Sequence, residues 1–62
     1  MLMKVENNLA SIDNYKQICS VADDLIVLEE IKIRGNNLKI KYLDKNRIVI
    51  VGIIKSINIG DD

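Results

Sequence analysis

An alternating pattern that occurs twice, seventeen positions apart, constrains this chain more than any other feature of its sequence. Residues 31–35 read IKIRG, and residues 48–52 read IVIVG. Each alternates with the period of two that is typical of a half-buried strand, and each ends on a glycine. The segment 38–44, LKIKYLD, alternates between them. The pattern predicts an all-β fold, a small single-domain antiparallel meander of about five to seven short strands.

The apolar residues are of the kind that favours strands. The 62 residues include twelve isoleucines and five valines, but no phenylalanine, tryptophan or proline. β-Branched side chains fit a pleated, half-buried surface, and the lack of proline leaves every ladder hydrogen bond available.

Length and charge limit the class of protein. A chain this short is expected to be only marginally stable, and its single cysteine, Cys19, cannot close an internal disulfide. Contacts between copies are the remaining support, so we expect a homo-oligomer. Nine basic and nine acidic residues cancel, which argues against nonspecific nucleic-acid binding. We expect a cytoplasmic protein without a transmembrane segment, because the lone cysteine suits a reducing compartment and no apolar run reaches membrane-spanning length.

The N-terminal part of the chain is less strongly patterned. Residues 1–8 are predicted to form a weakly ordered tail or an edge strand, and residues 9–62 a single β-domain. Two short strands are predicted within residues 9–20, around the turn-forming pair Asp13-Asn14. A helix over the same residues is the alternative, although its apolar stripe would be weak.

A tight hairpin is predicted at Asn36-Asn37. Asparagine adopts positive φ more readily than most residues, as a two-residue loop requires. In the resulting register Arg34 faces Lys39, and the apolar pairs fall on one side of the hairpin while the basic pairs fall on the other.

A three-residue loop at 44–46 is predicted next, with Asn46 left-handed. Gly52 would then lie over the core and mark a bulge or a close backbone approach. After it, the alternation of apolar residues changes phase once, near Lys55-Ser56, which predicts a kink or bulge there. The register would pair Tyr42 with Ile48, Ile40 with Ile50, and Leu38 with Gly52. The predicted structural turn positions are Gly35, Asn36, Asn37, Asn46 and Gly52.

The same register predicts two surfaces on the outer face. A basic patch, for an anionic partner or simply solvated, comprises Lys32, Arg34, Lys39 and Lys41. An apolar row comprises Leu43, Val49, Val51 and Ile53. Exposed apolar rows commonly mark contact surfaces, so this row either packs on a second copy or is covered by the N-terminal strands.

Residues that could carry chemistry are few. Asp23, Asp24, Glu29 and Glu30 are close only in sequence, and such residues in turns are commonly solvated. Cys19 lacks a histidine to generate its thiolate. We therefore expect no enzymatic activity, no cofactor and no metal.

Four segments, in this order and spacing, carry a family resemblance: IDNY at 12–15, DLIVL at 24–28, IKIRGNNLKI at 31–40 and IVIVGIIKSI at 48–57. Together they resemble the YabP/YqfC family of small proteins from spore-forming Firmicutes, and the first segment is closer to the YqfC branch. The chain departs from the family at Glu30, where a glycine is usual.

The resemblance implies a noncatalytic sporulation protein that acts as a structural or protein-interaction component in spore cortex or coat development. It further implies a place in the mother-cell compartment or at the forespore surface, and a partner in the spore envelope. No catalytic or ligand-binding residues carry over, and Gly35 and Gly52 would have backbone roles. The alternative is a small Sm-like or SH3-like barrel that binds nucleic acid through the basic patch.

Overall fold

The computed structural model describes residues 2–60 and shows an all-β domain. Within those residues there is no helix, and the chain forms six antiparallel strands in one sheet. The strands are β1 (Leu2–Glu6), β2 (Leu9–Asp13), β3 (Ile18–Val21), β4 (Leu25–Leu28), β5 (Ile31–Leu43) and β6 (Arg47–Ile59). The predicted fold class is thus confirmed, and strands rather than a helix occupy 9–13 and 18–21. Met1, Asp61 and Asp62, which the predicted domain bounds include, lie outside the described residues.

The strands follow one another as a meander from β3 to β6, and the β1–β2 hairpin joins the free side of β6. The order across the sheet is therefore β1-β2-β6-β5-β4-β3. The N-terminal segment, predicted as a tail or an edge strand, forms the edge strand β1. The only connection between non-neighbouring strands in the described part is 14–17, which runs from β2 across to β3.

The two longest strands are bent in their middle, and the bend divides the sheet into two halves. The first half of β5 pairs with the last half of β6, from Ile31 opposite Ile59 to Asn36 opposite Ile53. Beyond the bend, Lys39 lies opposite Val51, and the pairing continues to the loop at 44–46. The β1–β2 hairpin extends one half of the sheet, and the β3–β4 hairpin extends the other.

The core lies between these two halves. It contains Ala10, Ile12, Ile48 and Ile50 from one half, Ile26, Leu28, Ile31 and Ile33 from the other, and Leu38 at the bend. A single sheet without covering helices can bury side chains this completely only if it folds over on itself. The bend in β5 and β6 is therefore what creates the core.

Two glycines allow β5 and β6 to approach closely at the bend. A Cβ atom on Gly35 would overlap the carbonyl oxygen of Ile53, and one on Gly52 would lie 2.6 Å from the carbonyl oxygen of Asn37. Gly52 also has a φ of 136°, which side-chain-bearing residues rarely adopt. The close backbone approach predicted for Gly52 is confirmed.

The turns of both outer hairpins hold the bend in place through backbone hydrogen bonds. In the β3–β4 turn, the carbonyl oxygens of Asp24 and Asp23 accept the N–H groups of Gly35 and Leu38, at 3.1 and 2.8 Å. In the β1–β2 turn, the carbonyl oxygens of Asn8 and Asn7 accept the N–H groups of Gly52 and Ile54, at 3.3 and 3.1 Å. Backbone groups freed by the irregular ladder thus find partners in the neighbouring turns.

The predicted hairpin at Asn36-Asn37 is wrong, because both asparagines lie inside the continuous strand β5. Asn37 does take the positive φ that asparagine tolerates, at 55°, but it bends the strand instead of reversing it. The residues before the bend take the last half of β6 as their partner. Arg34 therefore lies opposite Ser56, not Lys39.

The loop at 44–46 is confirmed, but two details of its prediction are wrong. Asn46 is not among the described residues with positive φ. Ile40 lies opposite Ile50 as predicted, whereas Tyr42 lies opposite Val49, because the register shifts between Ile40 and Tyr42. The bulge predicted near Lys55-Ser56 is present: Ser56 pairs with Arg34 and Ile54 with Gly35, so Lys55 is the extra residue.

Candidate functional site

A network of polar side chains surrounds the β5–β6 loop, with Asp44 at its centre. The Oδ1 atom of Asp44 accepts the backbone N–H groups of Asn46 and Arg47, at 2.7 and 2.8 Å. Its Oδ2 atom accepts the Tyr42 hydroxyl at 2.6 Å. The hydroxyl of Tyr15 donates to the Asp44 carbonyl oxygen, also at 2.6 Å. The carboxylate thus closes the loop without requiring a left-handed residue at Asn46.

The network extends to β2 through an ion pair. The Nε atom of Arg47 donates to Oδ1 of Asp13 at 2.5 Å, across the β2–β6 ladder. The Asn14 N–H donates to the Asn46 carbonyl oxygen at 2.5 Å, and Asn14 has a φ of 60°. Asp13-Asn14 therefore directs the chain into the crossing connection 14–17; it does not form a tight turn between two paired strands.

These contacts shift the pKa values of three ionisable groups, Tyr42, Asp44 and Arg47. The hydrogen bond from Tyr42, supported by the backbone N–H groups of Asn46 and Arg47, lowers the pKa of the Asp44 carboxyl below its ordinary value. The same hydrogen bond raises the pKa of Tyr42, because the acceptor carboxylate favours the protonated phenol. The hydrogen bond to Asp13 raises the pKa of Arg47. The hydrogen bond between Tyr42 and Asp44 is formed when the Asp44 carboxylate is ionised and the Tyr42 phenol is protonated.

Replacing Asp44 with alanine is expected to lower the thermal unfolding midpoint more than replacing it with asparagine, whose side-chain oxygen can still accept the two backbone N–H groups. The lowered pKa also sets the pH dependence. The carboxylate contributes stability above its ordinary pKa of 3.8 and loses that contribution as the pH falls through the lower folded-state value. Circular dichroism melts at a series of acidic pH values should therefore show a smaller decline for Asp44→Asn than for the native chain.

A pocket of about 440 Å³ opens beside this network, lined by Leu2, Asp13, Asn14, Asp44, Asn46 and Arg47. Asp13 and Arg47 of this lining bind each other, and Asp44 binds the backbone of Asn46 and Arg47. Among residues 2–60 no three His, Cys, Asp or Glu side chains come together as a metal site. We interpret the network as the structural closure of one end of the domain. Sequence reasoning missed it, because Asp13 and Tyr15 reach Asp44 and Arg47 only through the β2–β6 pairing.

A second depression, lined by both apolar and polar side chains, lies between the edge strand β1 and the last half of β6. It has a volume of about 460 Å³. Its lining is Met3, Val5, Glu6, Asn7, Ile54, Lys55, Ser56, Ile57 and Ile59. Met3, Ile54 and Ile57 also pack against the buried core. We call this depression the β1–β6 groove; it is a place where the core opens to the surface beside two strand edges.

The four residues of the predicted basic patch do not form the cross-strand pairs that the hairpin would have made. Lys32 lies opposite Asn58 and Arg34 opposite Ser56, before the bend. Lys39 lies opposite Val51, beyond the bend, and Lys41 lies at the register shift that follows. The patch is thus divided between the two halves of the sheet, which gives no support to a continuous groove for a nucleic-acid backbone.

The predicted apolar row is also divided. Val49 and Val51 are half-buried and lie side by side with Ser11 and Leu9 of β2 in the same sheet. The N-terminal strands therefore extend this face and do not cover it. Leu43 lies opposite the buried Ile48, on the other face, and Ile53 lies beyond Gly52 on the far side of the bend. The row does not form one surface.

The remaining residues singled out in the sequence occupy exposed positions. Cys19 is exposed on the edge strand β3. Asp23, Asp24, Glu29 and Glu30 are exposed in the turns that flank β4, and Glu30 pairs with Lys16 at 3.5 Å. The contribution of Asp23 and Asp24 to the bend comes from their backbone carbonyl groups.

No protein-family model, curated protein or solved structure matches this chain. In the described residues, no helix is long and apolar enough to cross a membrane. The features available for a functional interpretation are therefore the chain's own surfaces.

Proposed function

We propose that this protein is a noncatalytic component of spore development that acts through protein–protein contacts, in the cortex or coat. Two lines of reasoning support the proposal. The four sequence segments that resemble the YabP/YqfC family supply the biological setting. The exposed apolar side chains of the domain support a role in protein–protein contacts.

The observation that carries the interaction role is the amount of exposed apolar surface on so small a domain. Among residues 2–60, seven large apolar side chains are exposed: Leu2, Val5, Val21, Tyr42, Leu43, Ile53 and Ile59. Val5 and Ile59 line the β1–β6 groove, which joins the core. Exposed apolar side chains that line a shared depression, as Val5 and Ile59 do, are typical of protein contact sites.

Self-association forms part of the proposal. A domain of 62 residues buries a small share of its surface, and each apolar side chain removed from water contributes roughly 1.5–3 kcal/mol. Contact between copies would add such burial without lengthening the chain. The thermal midpoint of the native chain is accordingly expected to rise with protein concentration.

The proposal is tested by following a fluorescent fusion of the native chain in a sporulating host cell. We expect the fusion to collect at the forespore surface, because an envelope component must bind partners there. A Gly35→Ala fusion serves as the matched control, since the added Cβ would overlap the carbonyl oxygen of Ile53 and is expected to distort the bend and weaken the fold. Uniform cytoplasmic signal from the native fusion throughout growth and sporulation would contradict the spore role.

A further inference from the structure

Strand β1 forms one side of the sheet and leaves a regular edge open. Among the described residues β1 pairs with β2 alone, and its five pairs, from Leu2 opposite Asp13 to Glu6 opposite Leu9, run without a register shift. The backbone N–H and C=O groups of β1 that do not bind β2 point away from it. An open edge of this kind can pair with a further strand.

The other free edges in the described part of the sheet are irregular. The register of β3 against β4 shifts between Ile18 and Ser20. The ladder between β5 and β6 shifts near Lys55 and again between Ile40 and Tyr42, so the stretches of both strands that lack a second partner are interrupted. Bulges of this kind protect an edge against pairing. Within residues 2–60, β1 is therefore the edge whose shape best suits a further strand.

The outer face of β1 carries one charge of each sign. Lys4 and Glu6 are two positions apart in the strand, so their side chains lie on the same face, and both are exposed. Ser11 and Leu9, which lie opposite them on β2, are uncharged. Neither Lys4 nor Glu6 forms an ion pair with a described residue. A lysine on an edge strand ordinarily opposes pairing, but here the same face also offers a glutamate that can match it.

This charge pattern is complementary to itself in one antiparallel register. When two copies of β1 pair about a twofold axis at Val5, Lys4 of each copy lies opposite Glu6 of the other. An axis at Lys4 would instead place two lysines opposite each other, which is destabilising. An axis at Met3 would place Lys4 opposite the apolar Leu2. The axis at Val5 is thus the register of β1 with itself that pairs each charge with its opposite.

The same register covers apolar surface on the other face of β1. Met3 and Val5 lie opposite the buried Ile12 and Ala10 of β2, so they belong to the core face of the sheet. Val5 is nevertheless 44% exposed, and it lines the β1–β6 groove. With the axis at Val5, this side chain faces its own copy and loses part of its contact with water. Apolar contact on one face and charge pairing on the other therefore favour the same register.

We infer that two copies of this chain associate through β1, paired antiparallel about a twofold axis at Val5, so that their sheets join into one. This inference rests on the self-association in the proposed function, for which it names the surface, and it is independent of the spore role. The paired segment is short, and we therefore expect a dimer that dissociates on dilution.

Reversing one charge at a time tests the register. Lys4→Glu leaves two acidic side chains on the outer face of β1, and Glu6→Lys leaves two basic ones, so each variant repels its own copy. Both positions are exposed, and circular dichroism checks that the variants fold. Sedimentation over a range of concentrations gives the dimer dissociation constant. We expect each substitution to raise it on the order of tenfold, because two cross-strand charge pairs become repulsive at once.

Combining the two changes should restore the dimer. The double variant Lys4→Glu/Glu6→Lys keeps the native net charge and again places opposite charges face to face, so its dissociation constant should return close to the native value. An equimolar mixture of the two single variants should likewise associate, as a heterodimer. Lys45→Glu makes the same charge change as Lys4→Glu at an exposed position in the loop at 44–46, and it should leave the dissociation constant nearly unchanged.

Three outcomes would overturn the inference, and they differ in what they leave standing. A native dimer that is insensitive to both single substitutions would place the interface elsewhere than β1, and self-association would stand. Single variants that dissociate without recovery in the double variant would show that Lys4 and Glu6 do not face each other, which contradicts the register. A native chain that remains monomeric at every concentration would contradict the proposed self-association as well. None of these outcomes bears on forespore localisation, which the fluorescent fusion measures separately.

Discussion

Replacing Gly35 with alanine is expected to remove a large share of the protein's stability. The added Cβ would overlap the carbonyl oxygen of Ile53 and lie 3.1 Å from the Cδ2 atom of Leu38. The overlap is with backbone, so no side-chain rotation relieves it, and β5 must move away from β6 at the bend. Overpacking in a core costs about 1–3 kcal/mol, and we expect this substitution to reach or exceed the upper value. A 62-residue domain has a total stability of only about 3–9 kcal/mol.

Urea unfolding followed by circular dichroism measures this effect, and the chain supplies its own control. Gly60 also has a positive φ, of 120°, but a Cβ there would meet nothing within 4 Å. Gly60→Ala should therefore cost little, while Gly52→Ala, which combines a φ of 136° with a close backbone contact, should cost about as much as Gly35→Ala. If Gly35→Ala has the same urea midpoint as the native chain, β5 and β6 do not approach each other as closely at Gly35 as described above.

The second large effect is expected from Ile50→Ala, which opens a cavity at the centre of the core. Ile50 is 0% exposed and lies between Ala10 of β2 and Ile40 of β5. Truncating a buried isoleucine to alanine costs about 2–5 kcal/mol, because apolar contacts are lost and the cavity collapses only in part. Ala10 is too small to fill the space. The urea midpoint should fall sharply, and part of the population should be unfolded without denaturant.

Ile53→Ala is the matched control, since it is the same substitution on the same strand at a side chain that is 55% exposed. Its effect on the free energy of unfolding should stay within about 0.5 kcal/mol, provided that the protein is dilute enough to be monomeric. Similar losses for the two variants would show that the core does not lie between the halves of the sheet.

The predicted features that the structure confirms are mostly local ones. The loop at 44–46, the close approach at Gly52 and the bulge at Lys55 each depend on a few neighbouring residues whose backbone preferences limit the choices. The abundance of β-branched residues likewise favours strands wherever those residues lie.

The polar network and the β1–β6 groove could not be predicted in the same way. Asp13 meets Arg47 across 34 positions, and Tyr15 meets Asp44 across 29. The groove likewise brings together the two ends of the chain, since β1 and the last half of β6 line it. Nothing in either segment alone specifies that partner, so both features depend on how the sheet folds over.

The sequence by itself determined the fold class, most of the strand-forming segments and several of the places where the chain is irregular. Only the tertiary structure decided what the irregularity at Asn36-Asn37 does. The spacing of three residues from Gly35 to Leu38 is one residue longer than regular alternation, and it shifts the apolar phase equally well in a hairpin loop and in a bent strand. The bend is favoured over a hairpin because β6 is also irregular at Gly52, opposite Asn36-Asn37 of β5. Both strands therefore bend at the same place, and the two halves of the sheet enclose one core.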